Sequence, residues 1–154
     1  MNVLRQLVKG VLAACVKRER LLLRGPRTPS GRPRIALTFD DGPSPEHTPP
    51  LLDLLDSLGL KATFFVIGQR AEEHPEIIRR IAAAGHEVAN HTYSHSEPSL
   101  TPAGMFLDEV RRTDRILLSL TGRVTSTVRP PKGELNWNKL RGLWCERKTV
   151  ALWN

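Results

Sequence analysis

From residue 34 onwards, strand-like and helix-like segments alternate along the chain, and this alternation restricts the possible folds more than any other feature. Short apolar runs rich in Val, Ile, Phe and Thr predict β-strands, whereas longer runs with one apolar face predict α-helices. The predicted strands are RIALTF, KATFFVIG, HEVANH, STVRPP and KTVALWN, and the predicted helices between them are PPLLDLLDSLG, HPEIIRRIAAAG, TPAGMFLDEVRRTDRILLSLTG and ELNWNKLRGLWCE. Regular alternation of this kind predicts a parallel α/β sheet, either doubly wound or curled into a barrel.

The charge distribution divides the chain near residue 34. The first 34 residues contain nine Lys and Arg against one acidic residue, whereas residues 35–154 contain fourteen basic and fifteen acidic residues. The formal charge of +7 therefore belongs to an N-terminal segment, and we predict a basic arm and linker over residues 1–33 before one domain over residues 34–154. A near-neutral domain with 5% aromatic residues does not favour binding to nucleic acid.

The arm has apolar residues at helical spacing, which predicts a basic amphipathic helix. Such a helix can lie on an anionic membrane, so we predict contact of residues 1–24 with a membrane surface, with packing against the domain as an equally favoured alternative. The uninterrupted apolar run before Cys15 is shorter than a secretory signal needs. This favours a cytoplasmic or membrane-peripheral location over export.

Polar side chains end three of the predicted strands. Asp40 and Asp41 close the first strand, His91 and His95 follow the third, and Arg129 closes the fourth. Because the carboxyl ends of parallel strands meet at one edge of a sheet, these residues are expected to lie together. Neighbouring side chains on a strand point to opposite faces, so the two carboxylates can serve different tasks. An ordinary Asp-Asp-Gly-Pro surface turn is the alternative.

The segment NHTYSH separates two histidines by four positions. If the backbone there is helical, both imidazoles lie on one face and their nitrogens can converge on one metal ion at roughly 2.0–2.1 Å. One carboxylate from the Asp pair would complete a three-ligand set of the type found in catalytic zinc sites. If the histidine pair is considered without the Asp pair, the alternative interpretation is two exposed histidines in a turn.

Three motifs carry a resemblance to a known family. TFDDGP, HTYSH and RPPKG resemble the first three motifs of the polysaccharide deacetylases, carbohydrate esterase family four, also called the nodulation-deacetylase homology domain. The resemblance covers roughly residues 34–154. It implies an α/β fold forming an incomplete, distorted (β/α) barrel of the glycoside hydrolase/deacetylase type, here with a basic N-terminal helical arm. It also implies a hydrolase that uses a divalent metal, expected to be zinc, to remove N-acetyl groups from amino-sugar polymers or oligomers.

The same resemblance implies roles for individual residues. Asp41 would bind the metal together with His91 and His95. Asp40 would be the general base that takes a proton from the attacking water, and Arg129 would orient Asp40 and keep it charged.

The segment Pro131, Lys132 and Gly133 corresponds to the family's substrate-contacting turn. The backbone N–H of Lys132 would contribute to an oxyanion hole. The family usually has an aromatic residue at this position, so an aromatic wall beside the sugar is not expected from Lys132.

A second departure concerns the C-terminal motifs of the family. A fourth motif with acidic and aromatic residues, and a fifth with a histidine general acid, would follow the fifth predicted strand, so we expect a C-terminally truncated chain with impaired activity. His47, His74 and His86 are interpreted as solvent-facing or structural residues rather than as replacements. A non-catalytic remnant that binds glycan or a protein partner is the main competing hypothesis, and a hydrolase of another amide is the nearest enzymatic one.

Overall fold

The fold is built around one six-stranded parallel sheet. The computed structural model describes residues 20–23 and 35–153. The strands are β1 (Leu21–Leu22), β2 (Thr38–Gly42), β3 (Thr63–Val66), β4 (Glu87–Asn90), β5 (Thr127–Val128) and β6 (Thr149–Ala151). Their spatial order is β1-β6-β5-β4-β3-β2, and every neighbouring pair is parallel. The two outer strands, β1 and β2, do not pair with each other, so the described sheet is open. The predicted parallel α/β architecture is confirmed.

Helices occupy the connections between strands. They are α1 (Thr48–Ser57), α2 (Gly68–Glu73), α3 (Pro75–Ala83), α4 (Ala103–Thr121) and α5 (Trp137–Cys145), with a 3-10 turn at Pro131–Gly133. Proline lies in the first turn of α1 and of α3, where its missing N–H leaves no helical bond unmade. The side chain of Asn136 caps α5 by accepting a hydrogen bond from the Lys139 N–H, and Gly122, at φ 67°, ends α4. The four predicted helices are confirmed.

One α-helix and one β-strand were not predicted. Helix α2 has six residues, too few to show a helical period in the sequence. Strand β1 has two residues, falls within the predicted arm, and pairs with β6 through Leu21 opposite Val150 and Leu22 opposite Ala151. The predicted arm helix, linker and membrane contact concern residues that lie mostly outside the described ranges. Within those ranges, no helix has the length and apolar character required to cross a membrane.

The core has two main clusters, and α4 contributes to both. One joins the sheet to α1, α3 and α4, and its largest buried members are Leu52, Leu55, Phe64, Val66, Ile77, Ile78, Ile81 and Leu117. The other joins the sheet to α4 and α5, with Phe106, Val110, Val128, Leu140, Leu143 and Val150. Phe65, between Phe64 and Val66, belongs instead to a small third cluster, because successive strand residues point to opposite faces.

Gly68 marks a close approach between the start of α2 and helix α4. A Cβ at this position would lie 2.4 Å from Thr113 Oγ1 and 2.9 Å from Tyr93 Cδ2, and Thr113 is fully buried. We therefore expect Gly68→Ala to lower the free energy of unfolding by about 1–3 kcal/mol, as overpacking does elsewhere. Urea unfolding followed by circular dichroism measures the change.

Gly104→Ala is the matched control for this substitution. A Cβ at Gly104, in α4, meets no atom within 4 Å, and alanine is the better helix former by about 1 kcal/mol. This variant is expected to be as stable as the unaltered chain or more stable. Equal behaviour of the two variants would show that the crowding at Gly68 has no energetic effect.

Candidate metal centre

A carboxylate and two imidazoles meet at the carboxyl edge of the sheet. Asp41 lies near the end of β2, His91 directly follows β4, and His95 comes four residues later. Asp41 Oδ1 is 3.3 Å from His91 Nε2 and 3.1 Å from His95 Nε2. One ligand atom from each of the three residues lies within 4.8 Å of the others. The structure thus brings together the three residues to which the family resemblance assigns the metal.

The backbone that carries the two histidines is not helical, so the condition under which a helical turn would bring the two imidazoles together is not met. Residues 91–95 form a loop in which Thr92 has φ 68° and His95 has φ 56°. The imidazole centroids are nevertheless 5.1 Å apart. A loop with two residues of positive φ thus brings the two imidazoles together, as a helical turn would also do.

The neighbouring carboxylates diverge at a backbone turn within β2. Asp41 has φ 66°, and the β2–β3 register shifts between Phe39 and Gly42. A non-glycine residue in this conformation is strained by about 1–3 kcal/mol and persists only where its surroundings hold it. The Arg70 guanidinium helps by donating a hydrogen bond to the Asp41 carbonyl oxygen. A local distortion, rather than regular strand alternation alone, therefore separates the two Asp side chains.

Hydrogen bonding fixes the tautomer of His91. Its side chain is 2% exposed, and its Nδ1 lies 2.6 Å from the carbonyl oxygen of Arg129, to which the Nδ1–H donates. The lone pair of Nε2 consequently faces Asp41 and His95. Burial lowers the pKa of His91, opposed by the carbonyl hydrogen bond and by the charges of Asp40 and Asp41. The imidazole is thus held neutral, in the form that binds a metal.

These donors fit a divalent metal ion. Two imidazole nitrogens and one carboxylate oxygen are a donor set of catalytic zinc sites, in which further positions remain open to water or substrate. The carbonyl of Arg129 supplies the outer hydrogen bond that such a histidine requires.

Arg129 is a buried cation that binds Asp40. Its Nη1 lies 2.6 Å from Asp40 Oδ1 and 2.9 Å from Thr38 Oγ1, and its Nε donates to the carbonyl oxygen of Ala151 at 3.2 Å. Its guanidinium carbon lies 3.9 Å from the centre of the Phe65 ring. The side chain of Arg129 is 5% exposed and that of Asp40 is 26% exposed. The guanidinium therefore has one orientation, and it fixes one oxygen of Asp40.

The 3-10 turn after Arg129 contains the other three predicted residues. Pro131 is buried, and Lys132 adopts φ 55° and forms an ion pair with Glu97 through its Nζ. A Cβ on Gly133 would lie 3.6 Å from the Trp153 ring, and that ring is centred 5.1 Å from the guanidinium carbon of Arg129. The turn thus lies beside the Arg129 side of the site, and an oxyanion role for Lys132 stays a prediction.

Several residues that support the site were not predicted from the sequence. They are Thr38, Phe65, Arg70, Ala151 and Trp153. No spacing in the sequence marks them, because each acts through proximity between distant segments. An aromatic residue near the predicted turn is Trp153, which follows β6 and is 48% exposed.

The remaining histidines lie outside the cluster of metal donors. His47 bonds to Ser44 Oγ at 2.9 Å, and His74 connects α2 with α3. His86 is 3% exposed, packs edge-on against Phe64, and accepts a hydrogen bond from the Ala62 N–H. These contacts agree with the interpretation of the three histidines as solvent-facing or structural.

A parallel α/β sheet with a carboxylate and two imidazoles converging at its carboxyl edge has the framework and the donors of a metal-dependent hydrolase. The chain belongs to the polysaccharide deacetylase family, whose model matches residues 27–143. It is 39% identical over 126 residues to a peptidoglycan-N-acetylglucosamine deacetylase of Bacillus cereus, and 53% identical over 79 residues to a chitooligosaccharide deacetylase of Sinorhizobium fredii. The alignments cover 82% and 51% of this chain.

A solved structure extends the likeness to the fold. The crystal structure of the Bc1960 peptidoglycan N-acetylglucosamine deacetylase matches 87% of this chain with a TM-score of 0.81 and 36% identity. This chain spans 61% of that structure, and 46% and 36% of the two curated relatives. The match includes the incomplete, barrel-like sheet predicted from the family resemblance.

Proposed function

We propose that the protein is a metal-dependent hydrolase that removes N-acetyl groups from amino-sugar polymers or oligomers. The observation that carries the proposal is the convergence of Asp41, His91 and His95 next to a second carboxylate, Asp40, that is bound to Arg129. Membership of the polysaccharide deacetylase family supports it, as do relatives named for acetylated amino-sugar substrates. Zinc is the proposed metal because two imidazoles and one carboxylate are a zinc donor set.

Each group in the site has a defined task in this proposal. A bound divalent metal supplies Lewis-acid polarisation and makes water a stronger nucleophile at neutral pH. Asp40 takes a proton from the attacking water, and it does so at Oδ2 because Arg129 binds Oδ1. Arg129 binds Asp40 Oδ1 and holds the carboxylate in one orientation. The N–H of Lys132 donates a hydrogen bond to the oxygen that becomes negatively charged.

Acetate release from N-acetylglucosamine oligomers and from peptidoglycan tests the proposal. The zinc-loaded chain is expected to release acetate, and Asp40→Asn is expected to reduce the rate by about 10²–10⁴-fold, the usual effect of losing a general base. Asp53→Asn, which removes a surface ion pair with Arg80, is the control and should keep the full rate. Oligomer binding without any acetate release would contradict the proposal and favour a non-catalytic glycan-binding role.

A further inference from the structure

The two histidines of the candidate centre are supported to different degrees by the sheet. His91 is 2% exposed and adjoins β4, whereas the His95 side chain is 31% exposed and lies in a loop with no strand partner. His95 also has φ 56°, a conformation that the surrounding structure must stabilise. Contacts from outside the loop are therefore needed to hold the second imidazole in place.

Glu109, in helix α4, makes these contacts on both sides of His95. Its Oε1 accepts hydrogen bonds from Ser94 Oγ at 2.6 Å and from Ser96 Oγ at 3.2 Å. Its Oε2 accepts a hydrogen bond from the Ser94 backbone N–H at 3.3 Å. One carboxylate thus binds the residue before His95 and the residue after it. The charge on the acceptor makes such hydrogen bonds stronger than neutral ones.

Helix α4 is a rigid base for this carboxylate. Val110, the next residue, and Leu117 are both fully buried in the two core clusters. The helix also supports the loop at a second point, since the guanidinium carbon of Arg112 lies 3.5 Å from the centre of the Tyr93 ring. The position of Glu109 is therefore set by the core rather than by the loop that it binds.

We propose that Glu109 is a positioning residue for His95, which acts by holding Ser94 and Ser96 so that the imidazole faces Asp41 and His91. The proposal rests on the proposed function, because it concerns the same metal centre. Groups that orient metal ligands from outside the coordination sphere typically change metal affinity by about 10–100-fold when they are removed. Glu109 does not touch the reacting atoms, and its effect passes entirely through His95.

Zinc affinity, measured by competition with a chromophoric chelator, tests this role. Glu109→Ala is expected to weaken zinc binding by about 10–100-fold. Glu109→Gln keeps one oxygen able to accept from both serine hydroxyls and should recover part of the affinity. Asp108→Ala is the matched control: it removes the neighbouring carboxylate of the same helix, which pairs with Arg111, and should leave zinc affinity unchanged.

A metal-free measurement separates this inference from the proposed function. The Ser94 amide hydrogen is expected to exchange with solvent faster in Glu109→Ala than in Asp108→Ala, because only the Glu109→Ala variant lacks the carboxylate that accepts the hydrogen bond of this amide. If the unaltered chain bound no zinc, the proposed function would fail. Independently of zinc, an unchanged exchange rate of the Ser94 amide in Glu109→Ala would overturn the positioning role. Equal zinc affinity in Glu109→Ala and the unaltered chain would also overturn it. Should Glu109→Ala fail to fold, Ser96→Ala, which removes one of the held hydroxyls, must weaken zinc binding.

Discussion

Zinc binding is expected to fall by more than about 100-fold when His91 is replaced by alanine, because even the loss of a group outside the coordination sphere costs about 10–100-fold. His91 is the most firmly held of the three candidate ligands. Its ring is 2% exposed, and the carbonyl of Arg129 fixes its Nε2 as the atom that faces Asp41. Among the described residues, the other imidazole of the donor cluster is that of His95, and its Nε2 already faces Asp41. Isothermal titration of the metal-free chain with zinc measures the change.

Asp41→Ala gives an independent test of the same centre. The Asp41 side chain is 57% exposed, so its removal disturbs packing less than removal of the buried His91 ring. A comparable loss of affinity is expected from both variants. His74→Ala is the control, since His74 lies between α2 and α3 and outside the donor cluster. Equal zinc affinity in the unaltered chain, His91→Ala and Asp41→Ala would end the metal assignment.

Replacement of Arg129 by methionine is expected to lower the free energy of unfolding by about 3 kcal/mol. Removing one partner of a buried ion pair costs about 3–5 kcal/mol, and the lower end applies because Asp40 is 26% exposed and retains some contact with water. The substitution also leaves the hydroxyl of Thr38 and the carbonyl of Ala151 without this donor. Because methionine keeps an apolar stem over Phe65, the lost free energy of unfolding measures the contribution of the guanidinium charge and its hydrogen bonds.

A double-mutant cycle with Asp40→Asn isolates the ion pair. Arg129→Met combined with Asp40→Asn should be less destabilised than the two single effects added together, because the second change removes the unpaired charge. Urea unfolding of the four proteins gives the coupling energy. Additive effects would show that Arg129 stabilises the fold through Phe65, Thr38 and Ala151 and has no energetic link to Asp40.

The order of strands and helices follows from local patterns, whereas the details of the site do not. The four helices α1, α3, α4 and α5 are predicted correctly because their signals lie close together in the sequence. These signals are the spacing of apolar residues, proline at helix starts and glycine at helix ends. The six residues of α2 and the two residues of β1 are too short to carry a period. Strand β1 also depends on pairing with β6, which lies more than 120 residues further along the chain.

Site geometry depends on such distant contacts even more strongly. The sequence places Asp40, Asp41, His91, His95 and Arg129 at strand ends, and parallel topology then brings them to one edge. The left-handed backbone at Asp41, Thr92 and His95 cannot be read from residue type, since none is glycine. Arg129, which follows β5, binds the carbonyl of Ala151 in the neighbouring strand β6 and the hydroxyl of Thr38 in the distant strand β2. These contacts exist only once the sheet has assembled, so no local pattern in the sequence predicts them.

Strand β2 carries both the proposed base and a proposed metal donor, and within the described residues it is an outer strand with a ladder partner on one side only. Arg129 restrains it from three strands away, by holding Asp40 and Thr38 across the face of Phe65. Loss of the pairing between β2 and β3 would consequently disturb both the proposed base, Asp40, and the proposed metal donor, Asp41. The chemistry proposed for this site therefore depends on an edge strand of the described sheet as well as on its interior strands.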